Sequence, residues 1–114
     1  MKDKYLIELE TDPILTEIVL RLVREFRPKR IFLFGSRARG ENGPGSDYDL
    51  LIVVPASNEP GYRQAQRAHR VALKGILAPV DVVIVTEQEF EERKTVIGSL
   101  SETAVFEGKE LYAA

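Results

Sequence analysis

Two aspartates, Asp47 and Asp49, flank Tyr48 just ahead of the apolar run Leu50 to Val54. In an extended strand, residues two apart point to the same face. The two carboxylates therefore project side by side, and each raises the other's pKa unless a cation lies between them. A divalent metal resolves that repulsion. Asp81, ahead of the apolar run Val82 to Val85, adds a third oxygen donor if the fold delivers it to the same place. Three carboxylates with no histidine or cysteine beside them favour Mg²⁺ or Mn²⁺ over zinc. Such an ion keeps several waters and is commonly held by one or two carboxylates together with substrate phosphates.

A Gly35-Ser36 pair closes the preceding apolar run, separated from Asp47 by ten residues. Gly35 lets the backbone approach a neighbour closely. Ser36 is expected to cap a short helical turn, leaving backbone N–H groups to face a phosphate. Arg37 and Arg39 offer forked donors for phosphate oxygens. Phosphates bridged by metal, cradled by amides and approached by a nucleophile are the components of phosphoryl or nucleotidyl transfer. Two other motifs fail on their residues. "GSRARGEN" has the glycine spacing of a P-loop, but Glu41-Asn42 stand where Lys-Ser/Thr is required. "DYDLLIVVP" opens like an EF-hand loop, then turns apolar where oxygen ligands must follow. His69, the only histidine, reads as a surface residue of a helix, and Tyr48 as core.

The elements that must position these groups follow from periodicity and punctuation. Asp12-Pro13 reads as the start of a helix whose buried stripe is Leu15, Ile18, Val19, Leu22, Val23 and Phe26, stopped by Pro28. Ile31 to Phe34 is a short strand, and the glycine-rich stretch 35–46 a loop. The run 49–54 is apolar at every position after Asp49, so both faces of that strand should be buried. A helix is expected over Gly61 to Leu77, ended by Pro79, then a strand over Asp81 to Val85. Thr86 with Glu89, and Ser99 with Glu102, read as capping boxes opening two further helices, the first near Glu87 to Lys94 and the second ended by Gly108. Glu110 to Tyr112 is a short strand or an ordered tail. The 12-residue loop predicts antiparallel first and second strands; the helical crossover predicts parallel second and third strands. Gly35, Asp47, Asp49 and Asp81 then meet at one end of the sheet.

The bulk numbers narrow the class. The 114 residues read as a single domain, 1–114, of a small α/β protein with a mixed sheet. A net charge of −2 argues against strong nucleic-acid binding through phosphate neutralisation. The absence of cysteine excludes disulfides and thiolate chemistry and fits a cytoplasmic location. No apolar run reaches the roughly 18 residues of a membrane span.

"GS", ten residues, then "DYD" resembles the signature of the minimal nucleotidyltransferases, within the DNA polymerase β-like superfamily. The resemblance covers nearly the whole chain, including the "VDVVIV" strand with its acid and the tail "EFEERK…GSL…TAVFEGKELY". It implies a polymerase β-like palm fold and transfer of a nucleoside monophosphate, usually AMP from ATP, with release of pyrophosphate. It further implies that Gly35 and Ser36 hold the triphosphate and that Asp47 and Asp49 hold the metals. Asp81 would bind the catalytic metal and help activate the acceptor hydroxyl. Many members of the family act as antitoxins of HEPN-type toxins, by AMPylating the toxin and by binding it.

Three readings of the biology remain open at the level of sequence. The leading one is transfer to a hydroxyl of a partner protein such as a HEPN toxin. A chain of this length leaves no room for a domain that holds a second substrate, so the acceptor site is expected to be completed by a partner chain or a homodimer. The second is an antitoxin subunit that acts by binding with little catalysis. The third is a small-molecule nucleotidyltransferase.

Overall fold

The computed structural model describes residues 11–114. Helix α1 spans Pro13–Phe26. It starts at Asp12 because that side chain accepts from the Leu15 amide at 3.0 Å and Pro13 occupies the first turn, where a missing N–H costs nothing. It stops at Arg27, which turns left-handed at φ 46° and returns its N–H to the Val23 carbonyl. Leu15, Ile18, Val19 and Leu22 form its buried stripe, as the spacing predicts. Strand β1 is Arg30–Phe34 and the five-residue helix α2 is Gly35–Arg39. Strand β2 is Tyr48–Val54. The crossover begins as α3, Gly61–Arg67, and continues as a π-helical stretch, Ala68–Ala72. Strand β3 is Val80–Thr86, α4 is Glu87–Arg93, α5 is Leu100–Glu107 and β4 is Lys109–Ala113.

Among the described residues the strands form one mixed sheet in the order β3-β2-β1-β4. β1 runs antiparallel to both β2 and β4, and β2 runs parallel to β3, as loop and crossover lengths require. Alternation along β2 divides the core in two. Leu50, Ile52 and Val54 join α1, Ala68 and Ala72 in one cluster; Leu51 and Val53 join Phe32, Phe90 and Ala104 in another. Helices therefore cover both faces, and β2 is buried throughout apart from Asp49. Each Leu, Ile or Val so enclosed contributes about 1.5–3 kcal/mol. That holds the strand bearing the acids in a rigid layer. Among the described residues no helix is long and apolar enough to cross a membrane.

Two expectations need correction, and one pair of alternatives is decided. The crossover helix is shorter than 61–77: the π-helical stretch ends at Ala72, and Gly75 takes φ 86°, which closes the helix before Pro79. Of the two alternatives for the tail the strand holds, extended by one residue at each end to Lys109–Ala113 and paired antiparallel with β1. Thr86 with Glu89 forms a reciprocal capping box, but Ser99 with Glu102 forms only half of one. Ser99 Oγ accepts from the Glu102 amide, while the Glu102 carboxylate accepts from Gly98 instead.

Candidate active site

Strand register assembles the site. Phe34, the last residue of β1, lies opposite Asp49, and Asp49 lies opposite Asp81. Gly35 therefore turns out of β1 directly beside the Asp49 carboxylate. A Cβ on Gly35 would lie 2.3 Å from Asp49 Oδ2, and the residue sits at φ 75°. Only glycine meets both conditions. The close backbone approach expected of Gly35 is thus made first to an acid of its own chain.

Asp49 is half-buried, whereas Asp47 and Asp81 are exposed. Burial raises the Asp49 carboxyl above its ordinary value, and the like charges of Asp81 and then Asp47 raise it further; Arg39 opposes them. Asp49 is thus close enough to both other acids to feel their charge. Among the described residues, no three acidic or histidine side chains are gathered closely enough to hold a metal ion by themselves. Hard oxygen donors under mutual repulsion still fit an ion that completes its shell with water and substrate phosphates. Asp49, with Asp47 and Asp81 flanking it, would hold such an ion.

Helix α2 begins at Gly35 with no side-chain cap on its first amides. Ser36 lies within the helix, so it is not the cap residue the sequence suggested; Phe34 occupies that position. Arg39 is exposed and pairs with Glu41 at 2.9 Å and with Glu107 at 3.7 Å, and the Glu41 hydrogen bond holds its pKa above the ordinary value.

Arg37 does something the spacing does not reveal. Its Nε and Nη2 both donate to the Ser46 carbonyl, at 3.1 and 2.9 Å, and its guanidinium lies 3.9 Å above the Tyr48 ring. Arg37 thereby ties the end of the glycine-rich loop back to α2 and sets where Asp47 emerges. Tyr48 is buried and donates to Asp12 Oδ2 at 2.7 Å, the same carboxylate that caps α1. Burial first, then Asp12, pushes the phenol up to about 12, so it remains a donor. Sequence reading placed Asp12 as a cap and Tyr48 as core, but not the bond between them. An apolar strand position carrying a hydroxyl was the only available signal. His69 is exposed on the crossover, as expected.

An acidic sheet end beside a glycine-opened helix is an arrangement suited to a metal-bound phosphate. Comparison with known proteins gives the family: the model of the nucleotidyltransferase domain matches residues 15–111, and the chain belongs to that family. The resemblance to minimal nucleotidyltransferases is borne out, and with it the fold class. One similar crystal structure is a toxin–antitoxin with AMP-PNP, 26% identical, covering 85% of this chain and 72% of that one at a TM-score of 0.54. Another is a protein of Sulfolobus solfataricus assigned as a nucleotidyltransferase, 25% identical, covering 79% and 77% at 0.54. A third, an MntA–HpeT toxin–antitoxin variant, is 22% identical over 84% and 71% at 0.52, a likeness of fold alone. Among curated proteins none matches significantly.

Proposed function

We propose that this nucleotidyltransferase moves AMP from ATP to a hydroxyl of a partner protein, a toxin of the HEPN type, in the cytoplasm. The observation that carries the chemistry is the register Phe34–Asp49–Asp81, which sets two acids side by side with Gly35 turning out of β1 against the first of them. The similar toxin–antitoxin with AMP-PNP supports an adenine nucleotide and a toxin as partner.

In this reading the Gly35 and Ser36 amides and the Arg39 guanidinium bind the triphosphate, and Arg37 orients the loop that carries Asp47. Asp47, Asp49 and Asp81 would hold Mg²⁺, which when bound neutralises charge on the triphosphate as it reacts. Asp81, exposed at the end of the row, takes the proton of the acceptor hydroxyl. The acceptor oxygen bonds to the α-phosphorus as the bond to the bridging oxygen breaks, and pyrophosphate leaves.

The test is incubation with Mg²⁺, α-labelled ATP and the protein encoded by the adjacent gene, using wild type and Asp47→Asn/Asp49→Asn. Label on the partner that vanishes in the variant supports the reading. Equal neutralisation of the partner by both proteins, with no label transferred, sinks it in favour of binding alone. Transfer to small hydroxylated compounds without any partner would instead identify a small-molecule enzyme.

A further inference from the structure

The crossover carries a feature the chemistry above does not use. Residues 60–80 hold Arg63, Arg67, Arg70, Lys74 and His69 but no acid, in a chain whose net charge is −2. Arg67 is neutralised by Glu25 and Glu59. Among the described residues, the Arg70 and Lys74 side chains have no such partner, and both are exposed with His69. Arg70, Lys74 and the imidazole of His69 border a concavity of about 440 Å³ whose remaining lining is Leu73, Gly75, Ile76, Ala78 and Val80.

The concavity is built by the π-helical stretch. The Leu73 amide reaches back five residues to the Ala68 carbonyl at 2.8 Å, the wider ring of a π-turn. Arg21, from α1, donates to the Lys74 carbonyl at 2.6 Å and so fixes the end of the helix. The floor is therefore rigid. Leu77, in the loop between lining residues, is 99% exposed and offers an apolar contact at the rim. Val80, also in the lining, immediately precedes Asp81. Whatever docks here lies at the start of β3, on the opposite face of the sheet from the acids.

We propose that this pocket seats an acidic segment of the acceptor protein. The proposal rests on the reading of a protein acceptor given above. Free cations at a concave rim attract carboxylates and raise their local concentration. Leu73, Ile76, Ala78 and Val80 supply apolar contact that interleaved aliphatic side chains would use. A single-stranded nucleic acid fits less well, because base stacking favours broad aromatic platforms and the lining contains no Phe, Tyr or Trp.

The probe is a fluorescein-labelled ten-residue peptide of alternating glutamate and leucine, measured by fluorescence anisotropy at 50 mM and 300 mM NaCl. A 12-nucleotide single-stranded RNA serves as the competing class. The proposal expects the peptide to bind wild type, to weaken with salt, and to weaken at least tenfold in Arg70→Glu/Lys74→Glu but not in Arg93→Glu. In wild type, the peptide should shift the amide resonances of His69 to Val80, which holds whether or not the double variant folds. Peptide binding that ignores the double substitution, shifts elsewhere, or tighter binding of RNA at those amides overturns it. Mn²⁺–AMP-PNP binding is followed in parallel. Its absence from wild type would sink the nucleotidyl-transfer reading while leaving the docking result standing, so the two failures are distinguishable.

Discussion

Gly35→Ala should separate stability from activity. Two costs arise at this position and they fall on different properties. The first is backbone strain: a residue with a Cβ held at φ 75° costs about 1–2 kcal/mol. For a domain near 100 residues that lowers Tm by roughly 4–16 °C. The second is the collision of the new methyl with Asp49, 2.3 Å from Oδ2 and 3.1 Å from Cγ. β2 cannot retreat, because Asp49 is paired to Phe34 on one side and Asp81 on the other. The carboxylate end can rotate away by about 1 Å, which costs little stability, but a displacement of that size in a reacting group costs about 100-fold in rate. The assay is a urea or thermal melt together with nucleotidyl transfer, repeated in an Asp49→Ala background where no carboxylate remains to be struck. Because rotation of the carboxylate relieves the collision, most of the loss, about 1–2 kcal/mol from φ, should persist in both backgrounds. Wild-type activity in Gly35→Ala would refute the contact. A stability loss that disappears with Asp49→Ala would show that collision, and not φ, carries the strain.

Three further outcomes follow from the same geometry. Because burial and the neighbouring acids raise the Asp49 carboxyl, the folded chain holds that proton more tightly than the unfolded chain. Stability from this group therefore falls as pH rises from the ordinary carboxylate range through the raised value. Asp49→Asn should then be more stable than wild type at pH 7 and no more stable near pH 3, as urea midpoints at both values will show. Arg37→Lys keeps the charge but cannot donate twice to the Ser46 carbonyl, so kcat should fall about tenfold or more with KM for ATP nearly unchanged; a rise confined to KM would indicate a direct phosphate contact instead. Gly108→Ala places a Cβ 2.4 Å from the Ala104 carbonyl oxygen and 2.6 Å from that of Leu33; backbone atoms give way poorly, so the substitution should cost about 1–3 kcal/mol in chemical denaturation.

Much of this architecture was legible because it rests on short-range rules. Strand type and direction followed from apolar runs and connection lengths, and α1 from a cap and a stripe. The convergence of Gly35, Asp49 and Asp81 followed from topology, once the loop and crossover fixed which ends of three strands coincide. What stayed hidden was set by contacts between residues far apart in sequence. The second bond of Asp12 spans 36 residues to Tyr48. The π-helical stretch depends on how tightly Ala68 and Ala72 can enter the core beside α1, and no local pattern announces that. Arg37 looked like a phosphate ligand because arginines after a Gly-Ser pair are chemically suited to it. Its capture by Ser46 and Tyr48 depends on where the loop returns.

The same strand explains why the site is both stressed and well held. Along β2, Tyr48 enters one core and donates to the carboxylate that starts α1, while Asp49 faces the other way, among like charges. The first contact stabilises the strand's end at the point where the second strains it. Removing the Tyr48 hydroxyl should therefore loosen Asp49 without touching it. In Tyr48→Phe the rate of nucleotidyl transfer should fall by more than the loss of stability in a urea melt accounts for, and an unchanged kcat would refute the link between this bond and Asp49.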